Sequence, residues 1–191
     1  MAAEHSTANH LKRAPFVGGE IRPGDTVPVI TAHESKYMTW GYPSLVDGRK
    51  SHINARSETA AIKTTFSAAM ATRRCVIPAS CFYEWKALAN KKQKEKYEFG
   101  LLNDDVMYMA GIYSLDNRFA ILTREATSAI ANIHNRMPVI IRKDLIDVWL
   151  NGALSEVDGI TKNAVTDGIS IYRVSEAPSS DDKQSEQMSL F

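Results

Sequence analysis

Val106-Met107-Tyr108-Met109-Ala110-Gly111-Ile112-Tyr113, then Phe119-Ala120-Ile121-Leu122-Thr123, is the stretch whose reading decides the fold class. Both runs are apolar and of strand length, and Leu115-Asp116-Asn117 between them supplies turn chemistry. Upstream, Tyr97 to Leu102 has the same strand-like character and is joined through Asn103-Asp104-Asp105, so the three predict an antiparallel meander. Working outward, Thr26 to Thr31 and Lys36 to Trp40 predict two paired strands, broken at Trp40-Gly41-Tyr42-Pro43. Cys75-Val76-Ile77 is a short buried-type run ended by Pro78, and Phe82-Tyr83-Glu84-Trp85 has the aromatic bulk that strands favour. The lysines from Lys86 to Lys96 predict a solvated hairpin loop. Ser57 to Met70 is alanine-rich, with Ile62, Phe66, Ala69 and Met70 at helical spacing, and predicts one helix packed on a sheet. Glu125 to Asn132, Lys143 to Leu150 and Ser155 to Val165 predict further helices, Val139 to Ile141 a strand, and Ile169 to Val174 a closing strand. The expected class is α+β, with one domain and no repeats.

The composition fits that class. The chain has 191 residues, 44% apolar and 24% charged, with a formal net charge of +1. No run approaches the roughly 18 apolar residues of a membrane span, and no basic-then-apolar secretory pattern opens the chain, so a cytoplasmic protein is expected. Cys75 and Cys81 lack the spacing of a disulfide framework or a zinc site, and the histidines show no HxxxH or HExxH pattern, so no metal or other cofactor is expected. Residues 176–191 carry Glu176, Asp181, Asp182 and Glu186 against Lys183 alone, which leaves the body of the chain net positive. That balance is compatible with a nucleic-acid partner. Beyond Ser175 the composition turns polar and acidic, so disorder is expected there.

Two residues suit proton chemistry, and a third stands nearby in the motif order. Glu84 sits in an aromatic setting that would strip water from a carboxylate and raise its pKa, as a general acid or base needs; the alternative is a strand glutamate facing solvent. His134 follows a helix in a loop beside Asn135 and Arg136, where working imidazoles tend to sit, though a surface histidine fits as well. Asn54 stands at a strand-to-helix junction, either as a positioning amide or as a cap. Arg56, Arg74 and Arg136 are candidates to hold phosphates, with Trp40 offering a face for base stacking.

Taken in order, Trp40-Gly41-Tyr42-Pro43, Ile53-Asn54-Ala55-Arg56-Ser57-Glu58-Thr59, Arg74-Cys75-Val76-Ile77-Pro78 with Phe82-Tyr83-Glu84-Trp85-Lys86, and Ile133-His134-Asn135-Arg136-Met137-Pro138 resemble the SRAP family, the SOS-response-associated peptidases. The resemblance covers about residues 21–175 and implies a strongly curved, barrel-like, mostly antiparallel sheet with flanking helices. It implies a monomer, at the nucleoid or replication fork, that binds single-stranded DNA at an abasic site. An N-terminal cysteine then crosslinks to the lesion as a thiazolidine, with an associated self-cleaving peptidase activity. Carried onto this chain, the resemblance gives Asn54 the positioning of the N-terminal residue, Glu84 and His134 proton transfer, Arg56 and Arg136 the flanking phosphates, and Trp40 a place near the DNA path. A non-covalent single-strand-binding module is the alternative function.

The family's Met-Cys-Gly-Arg start is not in the sequence, which opens Met1-Ala2-Ala3-Glu4. The expectation is that residues 1–20 are a truncated or atypical segment and that Met1 is an internal methionine of a longer reading frame. At the other end, Gln187-Met188-Ser189-Leu190-Phe191 resembles the pentapeptide that binds the bacterial sliding clamp, with Leu190 and Phe191 as apolar anchors and Gln187 as the hydrogen-bonding residue.

Overall fold

A computed structural model describes residues 18–47, 50–88 and 94–174. Most of the segment expected over residues 1–20, and the tail with Gln187, Leu190 and Phe191, lie outside the described residues. The strands are β1 (Thr26–Thr31), β2 (Ser35–Trp40), β3 (Tyr42–Pro43), β4 (Ser51–His52), β5 (Asn54–Arg56), β6 (Arg74–Ala79), β7 (Cys81–Ala87), β8 (Lys94–Leu101), β9 (Met107–Tyr113), β10 (Arg118–Glu125), β11 (Arg136–Pro138), β12 (Ile140–Ile141) and β13 (Ile169–Arg173). The helices are α1 (Ser57–Ala60), α2 (Ser67–Thr72), α3 (Ser128–Ala131), α4 (Ile146–Asn151) and α5 (Leu154–Lys162).

Five strands close into a barrel in the order β10-β2-β1-β6-β9, and β9 pairs back onto β10. Four of the staves, β1, β6, β9 and β10, are buried along most of their length and so appear as largely apolar runs rather than as alternation, whereas β2 fully buries Met38 alone. Val29, Cys75, Met109, Phe119 and Ile121 form one cluster with Phe82 and Phe99. Ile30, Val76, Ile112 and Leu122 form the other, beneath Met70, Trp149, Leu150 and Val157 of the helices. Closure is tight at Gly111, paired with Cys75 on one side and Ile121 on the other. A Cβ there would lie 2.5 Å from Ile77 Cδ1 and 3.1 Å from the Ala120 carbonyl oxygen, so a larger residue would force the staves apart. The expected α+β class and barrel-like sheet are both present.

Several expected elements differ. The predicted helix over Ser57–Met70 is two short helices joined by turns, and Ile62, expected on the packed face, is 80% exposed. The β-branched pair Thr64-Thr65 disfavours a continuous helix, whereas Phe66, Ala69 and Met70 pack as expected. Pro78 does not end its strand: β6 continues to Ala79, and Pro78 sits opposite Tyr108 where pairing with β1 has already stopped. The meander holds only for β9 and β10. Strand β8 leaves the barrel and pairs with β7 and β13 in a separate three-stranded sheet, because it fully buries Phe99 alone and cannot serve as a two-faced stave.

Arg74, expected to hold a phosphate, is a structural residue. It is 5% exposed, and its guanidinium donates to the carbonyl oxygens of Met70 (2.7 Å) and Ala71 (3.2 Å) in the last turn of α2. It also donates to Trp149 (2.5 Å), Leu150 (3.4 Å) and Gly152 (2.6 Å) at the end of α4. One side chain thus satisfies the orphan carbonyls of two helix C-termini, and none of its donors remains for DNA. Arg74→Met should lower the melting temperature by roughly 6–12 °C, the effect of about 3 kcal/mol from stranded carbonyls, and should leave the expected affinity for single-stranded DNA unchanged in the surviving folded fraction. Thermal melts and a binding titration well below the transition check this.

Candidate functional site

Strand β10 brings the motifs together. It pairs in parallel with β2, setting Phe119 opposite Trp40, and with β5, setting Ile121 opposite Asn54 and Thr123 opposite Arg56. Its other edge pairs antiparallel with β11, setting Glu125 opposite Arg136 and Thr123 opposite Pro138. Residues some eighty positions apart in the chain therefore flank Thr123 from its two sides. An open cleft of about 900 Å³ lies along this region, and Trp40, Asn54, Thr123 and Glu84 all line it.

Trp40 has a fixed orientation. Its ring stacks on Phe119 with centroids 6.3 Å apart, and its Nε1–H donates to the Ile53 carbonyl at 2.8 Å, which anchors the backbone just before Asn54. Asn54 and Arg56 are exposed, and neither side chain has a hydrogen-bond or ionic partner among the described residues. Arg136 is engaged differently. Its Nη1 and Nη2 donate to the two carboxylate oxygens of Glu58 at 2.8 Å each, and Nη2 also donates to the Thr123 carbonyl at 2.6 Å. Glu58 belongs to the quoted motif but had no role assigned to it; its partner lies 78 residues away, beyond the reach of local pattern.

Glu84, on β7, comes 3.5 Å from Nδ1 of His134, Oε1 being the nearer oxygen. The carboxylate side chain is 23% exposed and the imidazole 41%. Burial pushes the Glu84 carboxyl above the ordinary glutamate range, against the opposing pull of His134 and of the Trp85 backbone N–H. His134 Nδ1 accepts the Arg136 backbone N–H at 3.2 Å and lies 3.1 Å from the Arg136 carbonyl oxygen. In the neutral ring oriented by that N–H, the proton sits on Nε2; protonation of Nδ1 makes it a donor toward Glu84 Oε1 and the Arg136 carbonyl. The pair can therefore hold and exchange one proton beside the cleft, which Glu84 lines and His134, Arg56 and Arg136 do not. Cys75 is fully buried, which pushes its thiol pKa up, and Cys81 lines the cleft beside Ser80 and Tyr83. Among the described residues no group of three or more His, Cys, Asp or Glu side chains converges to hold a metal ion, and no helix is long and apolar enough to cross a membrane.

The sequence model of the SOS response associated peptidase (SRAP) family matches residues 6–180. Abasic site processing protein YobE of Bacillus subtilis is 35% identical over 114 residues, covering 56% of this chain and 52% of that protein. Abasic site processing protein YedK of Escherichia coli is 25% identical over 146 residues, covering 71% of this chain and 65% of that protein. The match spans about half the length of the Bacillus relatives. Among solved structures, a phage-related protein of Bordetella bronchiseptica superposes with a TM-score of 0.73 at 25% identity, covering 87% of each chain. A protein of Bacteroides thetaiotaomicron superposes with a TM-score of 0.69 at 24% identity, covering 80% of this chain and 75% of that one.

The raised Glu84 pKa carries a sign for stability. The folded state binds the Glu84 proton more tightly than the unfolded state, so stability falls as pH rises from the ordinary value of about 4.5 through the raised one. Glu84→Gln removes that ionisation. Its melting temperature at pH 8 should equal or exceed that of the parent by up to about 3 °C, and the advantage should vanish below pH 4.5. A variant melting below the parent at pH 8 would instead make Glu84 a net stabilising residue.

Proposed function

Because the chain belongs to the SRAP family, we propose that it processes abasic sites in DNA, binding the lesion in single-stranded form at the cleft beside Glu84 and His134. The observation that carries this reading is the half-buried Glu84 carboxylate, raised in pKa and 3.5 Å from an imidazole, at a cleft that Asn54 also lines. Abasic chemistry needs that pair. The closed sugar must open to its aldehyde, an amine must add to the carbonyl, and the carbinolamine must lose water to give an imine, each step moving a proton. A thiol adding across the imine on the same residue closes a thiazolidine with no further loss. Glu84 supplies and recovers the proton, and His134 relays it through Nδ1.

In this reading the free Asn54 amide positions the N-terminal amine and thiol that the family uses, and the same Glu84 serves the associated self-cleavage of the initiating methionine. Arg56 and Arg136 face the phosphates flanking the lesion, with Trp40 beside the strand. The tail at Gln187, Leu190 and Phe191 would tether the protein to the bacterial sliding clamp and raise its local concentration near replicating DNA.

The test is a denaturing gel with an abasic oligonucleotide. The 191-residue chain, whose N-terminus is Met1-Ala2, should bind single strands with an affinity that falls as salt rises but leave no heat-stable adduct. The same chain extended to open on Met-Cys-Gly-Arg should form one, and Glu84→Gln in that extended chain should slow it by about 10²-fold or more. Retention on immobilised clamp should disappear when Leu190 and Phe191 are deleted. Unchanged adduct rates in Glu84→Gln, or no adduct from the extended chain, would overturn the assignment, and a heat-stable adduct from the 191-residue chain would overturn the requirement for an N-terminal cysteine.

A further inference from the structure

We propose that Glu58 sets the affinity of the single-strand-binding surface by occupying the face of Arg136 that a phosphate would take. The inference rests on the DNA-binding reading above and concerns a residue to which that reading gives no role.

The geometry is specific. A guanidinium recognises a phosphate or a carboxylate through the same fork of two parallel N–H bonds, and in Arg136 that fork is already filled by Glu58 at 2.8 Å on each arm. The Nη2 hydrogen bond to the Thr123 carbonyl at 2.6 Å fixes the guanidinium plane, while Nε is buried with no hydrogen-bond partner among the described residues. Arg136 therefore cannot turn to offer a second fork. Its side chain is only 16% exposed, whereas that of Glu58 is 45% exposed and sits on the four-residue helix α1, so the carboxylate is the partner able to leave. The hydrogen bonds from Arg136 hold the Glu58 carboxyl below its ordinary pKa, so it stays ionised wherever binding is measured. A phosphate arriving at Arg136 must displace a formed ion pair rather than meet a free cation. Arg56, exposed and without an ionic partner among the described residues, has no such competitor.

Two consequences separate this from a purely structural role. Because the Glu58 end of the pair is screened by water, removing the competitor should strengthen binding modestly, about three- to tenfold. A phosphate that replaces a carboxylate also releases fewer counterions overall, because the freed carboxylate regains its own. Loss of Glu58 should therefore steepen the salt dependence by up to about 0.7 in slope, the value of one added single-strand phosphate contact.

The experiment measures binding of a fluorescent single-stranded oligonucleotide to the 191-residue chain at several salt concentrations, for the parent, Glu58→Gln, Arg136→Ala and the double variant. Thermal melts establish that each is folded, and Glu58→Ala serves as a second charge-removing variant should Glu58→Gln fail to fold. The expected result is tighter, more salt-sensitive binding in either Glu58 variant and no such gain when Arg136 is absent. Unchanged or weaker binding in folded Glu58 variants would make Glu58 a strut for Arg136 and overturn the proposal. A gain that persists in Arg136→Ala would assign it to general surface charge and also overturn it. If the parent shows no salt-dependent binding of single strands, the DNA-binding reading and this inference fail together.

Discussion

Strand β10 has hydrogen-bonded neighbours on both edges, and the site depends on that arrangement. On one edge lie β2 and β5, carrying Trp40, Asn54 and Arg56; on the other lies β11, carrying Arg136 and preceded by His134. The same strand closes the barrel through β9, at the point where Gly111 leaves no room for a side chain. Barrel closure and site assembly thus share one strand: β10 pairs with β9 to close the barrel and with β5 and β11 to set the segments around Asn54 and Arg136 in a common frame. Only Glu84 comes from elsewhere, on the three-stranded sheet that packs Phe82 and Phe99 against the barrel.

Placing Glu84 on that second sheet has an electrostatic consequence. A carboxylate at the seam between two packed sheets loses water, and desolvation outweighs the attraction of the nearby imidazole. Residues that serve stability alone look different here. Arg74 is more deeply buried, yet every one of its donors meets a carbonyl, so the charge is dispersed into two helix ends. The Glu58–Arg136 pair lies between these extremes: its charges are matched, but one partner remains accessible.

The sequence made visible what rests on local pattern. The runs of β1, β2, β9 and β10 announced themselves by apolar content and turn residues, and the aromatic flanks of Glu84 already suggested a desolvated carboxylate. What stayed hidden depends on distant partners. Strand β8 pairs with its sequence neighbour β7, as the predicted hairpin implies, but its other edge is taken by β13, some seventy residues later, rather than by β9. The capping role of Arg74 depends on carbonyls of residues 149–152, so a buried structural arginine and a phosphate clamp are indistinguishable in sequence. The two-residue strands β3, β4 and β12 are too short to carry a period at all. Glu84 and His134 could each be nominated alone, but their proximity across fifty residues is a product of the fold.

The central claim is that Glu84 and His134 share one electrostatic environment at the cleft, with burial holding the carboxyl in its protonated form to higher pH. The most direct measurement is the titration of the Glu84 carboxyl carbon by NMR, in the parent chain and in His134→Ala. The account predicts a midpoint above the ordinary value of 4.5 in the parent, and a further rise when the imidazole that favours the carboxylate is removed. A midpoint at or below 4.5, or one that does not move on loss of His134, would contradict it.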